Sequence, residues 1–169
     1  AVYLYRISSY IVGEMRKLMK RLLVLIILVI GAAQAQDNWF GLRTGYPLGL
    51  TVHYGIENGL DNGFDLRISG NLRAYGNNVE VGIGIDGMSD IIQDGPLSVY
   101  IGAGPSLDFG GGGALLDLHG LIGGEFRFSA AGLNQFGIFV EGTLGASIGL
   151  GRDSRVPSGG AAVGFNWHF

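Results

Sequence analysis

The sequence predicts an all-β protein: an eight-stranded antiparallel up-and-down transmembrane β-barrel, preceded by a cleavable signal peptide. Three observations predict it. Eight segments alternate apolar and polar residues, turn residues separate these segments, and the N-terminal region has the order of a secretory signal. No stretch has the helical periodicity that a βαβ crossover needs, so an α/β fold is excluded.

Residues 15–35 form the predicted signal peptide. Met15 is followed by four basic residues between positions 16 and 21, the apolar run Leu22–Ile30, and small residues up to Ala35. The run is about half of the roughly 20 residues that a membrane-spanning helix needs. We therefore expect cleavage after Ala35, with residues 36–169 as the barrel domain. Residues 1–14 contain no Met and are typical of an over-extended reading frame.

Every basic residue within 36–169 is arginine. This region contains six arginines, 13 acidic residues and no lysine, giving a formal charge of −7. Soluble surfaces use lysine freely, so its absence indicates that little of this surface meets water. The acidic balance excludes nucleic acid as a partner. With no cysteine present, disulfides and thiolate metal sites are excluded, and no cofactor is predicted.

The first four segments are the most regular. Trp39–Tyr46 and Leu48–Glu57 are separated by Pro47, and residues 58–63 are turn-forming by composition. From Phe64 onwards, alternation continues to Tyr75, breaks at Gly76-Asn77, and resumes to Asp86. Alternation on both sides of a two-residue Gly-Asn turn is a strong β-hairpin signal.

The second half of the chain repeats this organisation with longer glycine-rich segments. Pro105 predicts a bulge or a strand end. We expect a loop over Ser89–Pro96, strand five from Leu97 to Asp108, a four-glycine turn at 110–113, strand six from Leu116 to Phe128, a turn at 130–134, strand seven from Phe136 to Ile148, a polar loop at 151–159, and strand eight from Ala161 to Phe169.

Alternation alone also fits a soluble, lipocalin-like ligand-binding barrel. Two features favour lipid contact. No charged residue occupies the apolar positions of the eight segments. This is expected of a surface that faces lipid, where an arginine at the bilayer midplane costs about 2 to 4 kcal/mol. Glycines on the polar face would leave room for long side chains inside a narrow barrel; these are Gly82, Gly84, Gly102, Gly104, Gly123 and Gly164.

Aromatic residues on the apolar face give a third reason to prefer the membrane barrel. They begin odd-numbered strands or end even-numbered ones, which places them at a single rim, as in the interfacial girdle of a membrane barrel. The predicted girdle contains Phe40, Phe64, Phe126, Phe128, Phe136, Trp167 and Phe169.

Charged residues on the polar face predict a salt-bridged lumen. The Gly76-Asn77 turn sets a register in which Arg73 faces Glu80 and Arg67 faces Asp86. The same interior contains Arg43, Asp65, Asp108, Asp117, Glu125, Arg127 and Glu141. An eight-stranded interior is about filled by its own side chains, so we expect a closed structural plug. A narrow ion or proton pore is the alternative.

No catalytic or metal site is predicted. His53 and His119 lie on strands two and six, which are far apart around the ring, and His168 lies in the last strand. Each is interpreted as a hydrogen-bonded lumen residue rather than a ligand or base. A membrane-embedded lipid-modifying enzyme would need a serine and a histidine near a rim on the lipid face, and no such pair is found.

Residues 36–169 resemble the small eight-stranded outer-membrane β-barrels, which include the transmembrane domain of outer membrane protein A and its X-type relatives. The terminus Gly164-Phe165-Asn166-Trp167-His168-Phe169 is similar to their barrel-insertion signal, although Ala162 stands where a polar residue is usual. The resemblance implies that the assembly machinery reads Gly164, Trp167 and Phe169. It further implies a monomer in outer-membrane lipid with a structural or passive role, and the short turns argue against adhesion by displayed loops.

Overall fold

The structure, a computed structural model, describes residues 38–60, 63–75, 78–110, 112–129 and 132–169. The predicted upstream extension, the signal peptide and the Gly76-Asn77 turn all lie outside the described residues. Within those residues, no helix has the length and apolar character needed to cross a membrane.

Eight antiparallel strands pair in chain order and close into a barrel, because β1 also pairs with β8. This confirms the predicted all-β, up-and-down architecture. The strands are β1 (Asn38–Tyr46), β2 (Gly49–Ile56), β3 (Asp65–Tyr75), β4 (Asn78–Asp94), β5 (Leu97–Gly110), β6 (Gly113–Phe128), β7 (Leu133–Leu150) and β8 (Arg155–His168).

The two ends of the barrel differ. The end that holds Asn38 and Phe169 is called the terminal end, and the end with the β1–β2, β3–β4, β5–β6 and β7–β8 connections is called the far end. Asn38 and Phe169 are joined there by two backbone hydrogen bonds of 3.1 and 2.9 Å. The predicted hairpin register is present, with Arg67 opposite Asp86 and Arg73 opposite Glu80.

The structure corrects three predictions of local structure. The loop predicted at 89–96 is wrong, because β4 continues to Asp94 and pairs with Leu97 of β5. A register shift between Asp90 and Ile92 lets the pairing continue where Ile91-Ile92 breaks the alternation. The polar loop is shorter than predicted, because β8 already begins at Arg155.

Pro105 is the third correction, since it neither ends β5 nor makes a bulge. It pairs with Leu118 of β6, whereas the pairing of β5 with β4 passes over Gly104 and Pro105. Proline has no N–H to donate, so the ladder loses hydrogen bonding on one side only.

The distribution of burial is inverted relative to a soluble barrel. The apolar files point outward, with Ile83 65 % and Val140 63 % exposed. The charged file points inward, where Arg67 and Asp86 are each 1 % exposed. A soluble barrel buries its apolar file, so this arrangement fits lipid outside and a polar core inside.

Glycine makes this narrow interior possible. A Cβ at Gly123 would collide with the Tyr100 ring, and a Cβ at Gly82 would collide with the Asp108 carboxylate. At Gly104 the obstacle is backbone, with Cα of Asp86 only 2.8 Å from the ideal Cβ position. Inward glycines therefore give space to large polar neighbours, as the sequence predicts.

Candidate lumen site

The lumen is the candidate functional site, because the inward file brings nearly all ionisable side chains together. The largest fully buried side chains all belong to it: Arg67, Phe139, His53, Glu80, Asp86 and Asp108. The charged groups among them need hydrogen-bonded partners of opposite charge. The structure supplies them in four groups along the barrel axis.

Arg67 is the centre of the first group. Its Nε and Nη2 donate to Asp86 Oδ2 at 3.0 and 2.8 Å, as the hairpin register predicts. Across the lumen, Nη1 donates to Glu141 Oε2 at 2.6 Å. Glu141 is also bound by Arg43 and lies 3.4 Å from the Tyr100 hydroxyl. Two carboxylates thus compensate Arg67, and one of them is shared with Arg43.

His119 connects this group to the far end. Its Nε2 lies 3.0 Å from Asp86 Oδ1, and its Nδ1 lies 2.9 Å from Asp117 Oδ2. Both ring nitrogens of His119 therefore face a carboxylate, one from β4 and one from β6. Asp117 also accepts from Ser147 at 2.5 Å and from Ser158 at 2.9 Å.

The third group, at the far end, differs from the predicted pairing. Arg73 and Glu80 are register partners, yet Arg73 Nη1 donates to Asp108 Oδ2 at 3.1 Å. Glu80 instead accepts from Arg152 at 2.5 Å and lies 3.5 Å from Arg155. The β7–β8 connection brings Arg152 to Glu80, the start of β8 brings Arg155, and Asp108 of β5 is the buried acceptor for Arg73. Neither contact can be read from a hairpin register.

The fourth group lies at the terminal end. Glu125 accepts from Asn166 Nδ2 at 2.6 Å and contacts His168 Nε2 at 2.6 Å. Asn166 Oδ1 in turn lies 2.8 Å from His53 Nε2. Arg127 bridges Glu57 and Glu125, each at 3.5 Å. His53 and His168 therefore join one hydrogen-bonded chain.

Within the described ranges, no group of three or more His, Asp or Glu side chains has the geometry to hold a metal ion. Asp65, another predicted member of the interior, accepts from the backbone N–H of Asn58 at 2.9 Å, at the terminal rim.

Two cavities lie on either side of the Arg67 group. The far-end cavity is about 310 Å³ and includes Arg43, Arg73, His119 and Glu141 in its lining. The terminal-end cavity is about 300 Å³ and is lined by Arg67, Tyr100 and Glu125, among others. Arg67 borders one cavity and Glu141 the other, so their hydrogen bond crosses the layer that separates them.

Aromatic side chains gather on the outer surface at the terminal end. The Phe136 and Trp167 rings meet edge to face with centroids 4.4 Å apart, and Phe126 meets Phe128 at 5.6 Å. Phe40 is the register partner of Trp167, and Phe64 directly precedes β3. Tyr54 is not part of the predicted girdle, but its ring centroid lies 6.4 Å from that of Phe169.

Sequence reasoning missed three contributors to the lumen. Tyr100 stands next to a glycine-rich stretch, and Arg152 and Arg155 read as loop residues. For His119, the nearby Asp117 could be read from the sequence, whereas its second partner, Asp86, comes from β4 and could not. One signal was available in the sequence. The inward carboxylates outnumber the arginines of the predicted strands, so these carboxylates need further cationic partners from elsewhere in the chain.

Neither the protein-family models nor the curated proteins contain a match to this chain. Solved structures similar to this chain were found. Neisserial surface protein A (NspA) has a TM-score of 0.53 and 15 % identity, with 79 % of this chain and 94 % of that chain covered. The N-terminal β-barrel domain of Pseudomonas aeruginosa OprF also has 0.53 and 15 %, with 79 % and 96 % covered. The chain therefore has the closed eight-stranded fold of these outer-membrane barrels.

Proposed function

We propose that this protein is an integral outer-membrane β-barrel with a structural, passive role in the envelope and a lumen closed by its polar network. The observation that carries the proposal is the Arg67–Glu141 hydrogen bond of 2.6 Å between the two cavities. The proposed partners are outer-membrane lipid and, during insertion, the barrel-assembly machinery reading Gly164, Trp167 and Phe169. The barrel is proposed to be monomeric.

Membrane insertion is supported by the outer surface. Outward positions along the strands are mostly apolar, and large members such as Leu144 are 68 % exposed. In water this would be an apolar patch far larger than soluble monomers tolerate. The aromatic girdle at the terminal end marks one interface, and the predicted signal peptide supports export with that end in the periplasm.

A closed lumen is supported by the energetics of its central layer. Arg67 is 1 % exposed and makes contacts with both Asp86 and Glu141. Breaking such a buried pair by removing one partner costs about 3 to 5 kcal/mol, because the other charge is left uncompensated. Thermal opening of this layer is therefore rare, which favours a plug over a pore.

A non-enzymatic role is also part of the proposal. A lipid-modifying enzyme needs a catalytic base within reach of lipid, and histidine is the usual one. All three histidines of the chain, His53, His119 and His168, contact lumen groups. Their commitment to the interior supports a structural role for them.

Single-channel recording in planar bilayers tests the closed lumen. The wild-type barrel is expected to give no conductance steps, whereas the double variant Arg67→Ala/Glu141→Ala removes the central layer and is expected to conduct. Glu57→Ala, at the terminal rim, is the control and is expected to stay silent. Steady conductance by the wild type would overturn the closed lumen, and extraction of the protein into plain buffer would overturn membrane insertion.

A further inference from the structure

The far-end cavity has the size and lining of a small-molecule site. Its volume of about 310 Å³ lies at the lower end of the roughly 300 to 1,000 Å³ typical of such sites. Strands separate it from the lipid. With the closed lumen proposed above, on which this description rests, the cavity is a blind cup that a solute enters only from the far end.

The charged groups in the lining of this cup differ in how far they are paired with other protein groups. Both carboxylates in its lining are engaged by donors from the protein. Asp117 accepts from Ser147 and Ser158 and contacts His119, and Glu141 contacts Arg43 and Arg67. Both carboxylates of the cup are thus already paired, which disfavours them as sites for a cation.

Some hydrogen-bond donors in the lining, in contrast, have no protein acceptor. Arg73 contributes only Nη1, to Asp108 at 3.1 Å, and its side chain is 27 % exposed. Among the residues that the structure describes, Nε and Nη2 of Arg73 have no protein acceptor. Arg43 adds a second guanidinium group to the same lining, already paired with Glu141. A cavity whose carboxylates are paired and whose Arg73 keeps unused guanidinium donors is suited to an anion.

We propose that the far-end cavity binds a small free oxyanion of the phosphate or sulfate class, with Arg73 as its principal ligand. A guanidinium presents its N–H donors in a planar fork that matches two oxygens of such an ion. Since its floor is closed, the cavity holds the ion and does not pass it on.

Isothermal titration of the full chain in zwitterionic detergent with inorganic phosphate tests this site. Ionic strength is held constant with chloride, so that general screening stays equal. The wild type is expected to show saturable binding, and Arg73→Gln is expected to weaken it at least tenfold. Arg73→Lys keeps the charge without the fork and is expected to bind with intermediate affinity.

Arg127→Gln is the matched control, because Arg127 lies at the terminal end with a similarly accessible side chain, 37 % exposed. It is expected to bind phosphate like the wild type. Absence of saturable binding, or equal losses in Arg73→Gln and Arg127→Gln, would overturn the proposal. The unfolding midpoint without phosphate verifies that each variant is folded before its affinity is compared.

A lipid headgroup offers the same phosphate chemistry from a different source. Short-chain phosphatidic acid is therefore titrated in parallel. Binding of inorganic phosphate at least as tight as that of the lipid supports a free solute in the cup. Binding of the lipid alone would overturn the proposal. Conductance is measured separately, so failure of the closed lumen and failure of this site are distinguishable.

Discussion

Arg67 and Glu141 lie 74 positions apart in the sequence, yet Arg67 Nη1 donates to Glu141 Oε2 at 2.6 Å across the lumen. Arg67 belongs to β3 and Glu141 to β7, strands on opposite sides of the ring. Their contact ties the barrel together across its diameter. It also lies between the two cavities, because Arg67 lines the terminal-end cavity and Glu141 lines the far-end cavity.

Removing the Glu141 charge is expected to destabilise the barrel strongly. Glu141→Gln leaves Arg43 without its carboxylate and Arg67 with Asp86 alone, so we expect a loss of about 3 kcal/mol in the free energy of unfolding. Urea titration in lipid vesicles, followed by the gel mobility of unheated samples, measures it. Glu57→Gln at the half-exposed rim is the control, with an expected loss of about 1 kcal/mol or less. Equal losses would contradict the central role of Glu141.

Double-mutant cycles test whether two residues that are register partners also make a side-chain contact. Arg67→Ala and Asp86→Ala should be non-additive, with a coupling of about 1 to 3 kcal/mol, because the two side chains meet. Arg73→Ala should couple more strongly with Asp108→Ala than with Glu80→Ala, although Glu80 is its register partner. Unfolding free energies of the single and double variants give these couplings. The opposite order would mean that Arg73 turns to its neighbour on the hairpin.

Glycine positions provide a test of lumen packing. Gly104→Ala places a methyl group 2.8 Å from Cα of Asp86, and such overpacking typically costs about 1 to 3 kcal/mol. Gly142→Ala is the matched control, because an added Cβ there meets no atom within 4 Å. It is expected to leave the urea midpoint unchanged or to raise it slightly, since alanine reduces the entropy of the unfolded chain. A tolerated Gly104→Ala would argue against close β4–β5 approach.

The two tryptophans report on inside and outside separately. Trp167 is 39 % exposed on the outer surface, whereas Trp39 is 6 % exposed and borders the terminal-end cavity. In vesicles with brominated acyl chains, Trp39→Phe protein, which retains Trp167, is expected to lose much of its fluorescence. Trp167→Phe protein should lose little. Bromines near the headgroup should quench Trp167 more than bromines at the chain ends, as expected for a girdle residue.

Quenching of both tryptophans to the same extent would contradict the assignment of inward and outward faces. Quenching of Trp167 mainly by bromines at the chain ends would instead move the terminal end into the middle of the bilayer. Each outcome therefore tests a different part of the proposed membrane placement.

The sequence by itself determined the number of strands, their two faces, the hairpin register and the aromatic girdle. These features follow from a period of two and from turn chemistry, both of which act over a few residues. The Arg67–Asp86 contact was predictable for the same reason. Strand ends were less predictable, because the bulge at Ile91-Ile92 interrupts the alternation without ending β4.

Only the tertiary structure decided which charges meet across the lumen. Closure and stagger of the ring set the heights at which distant strands face each other, and no local pattern encodes that stagger. For this reason His119 bridges Asp86 and Asp117, Arg73 contacts Asp108, and Glu80 receives Arg152. Composition required compensation of the buried charges, but barrel geometry selected the partners.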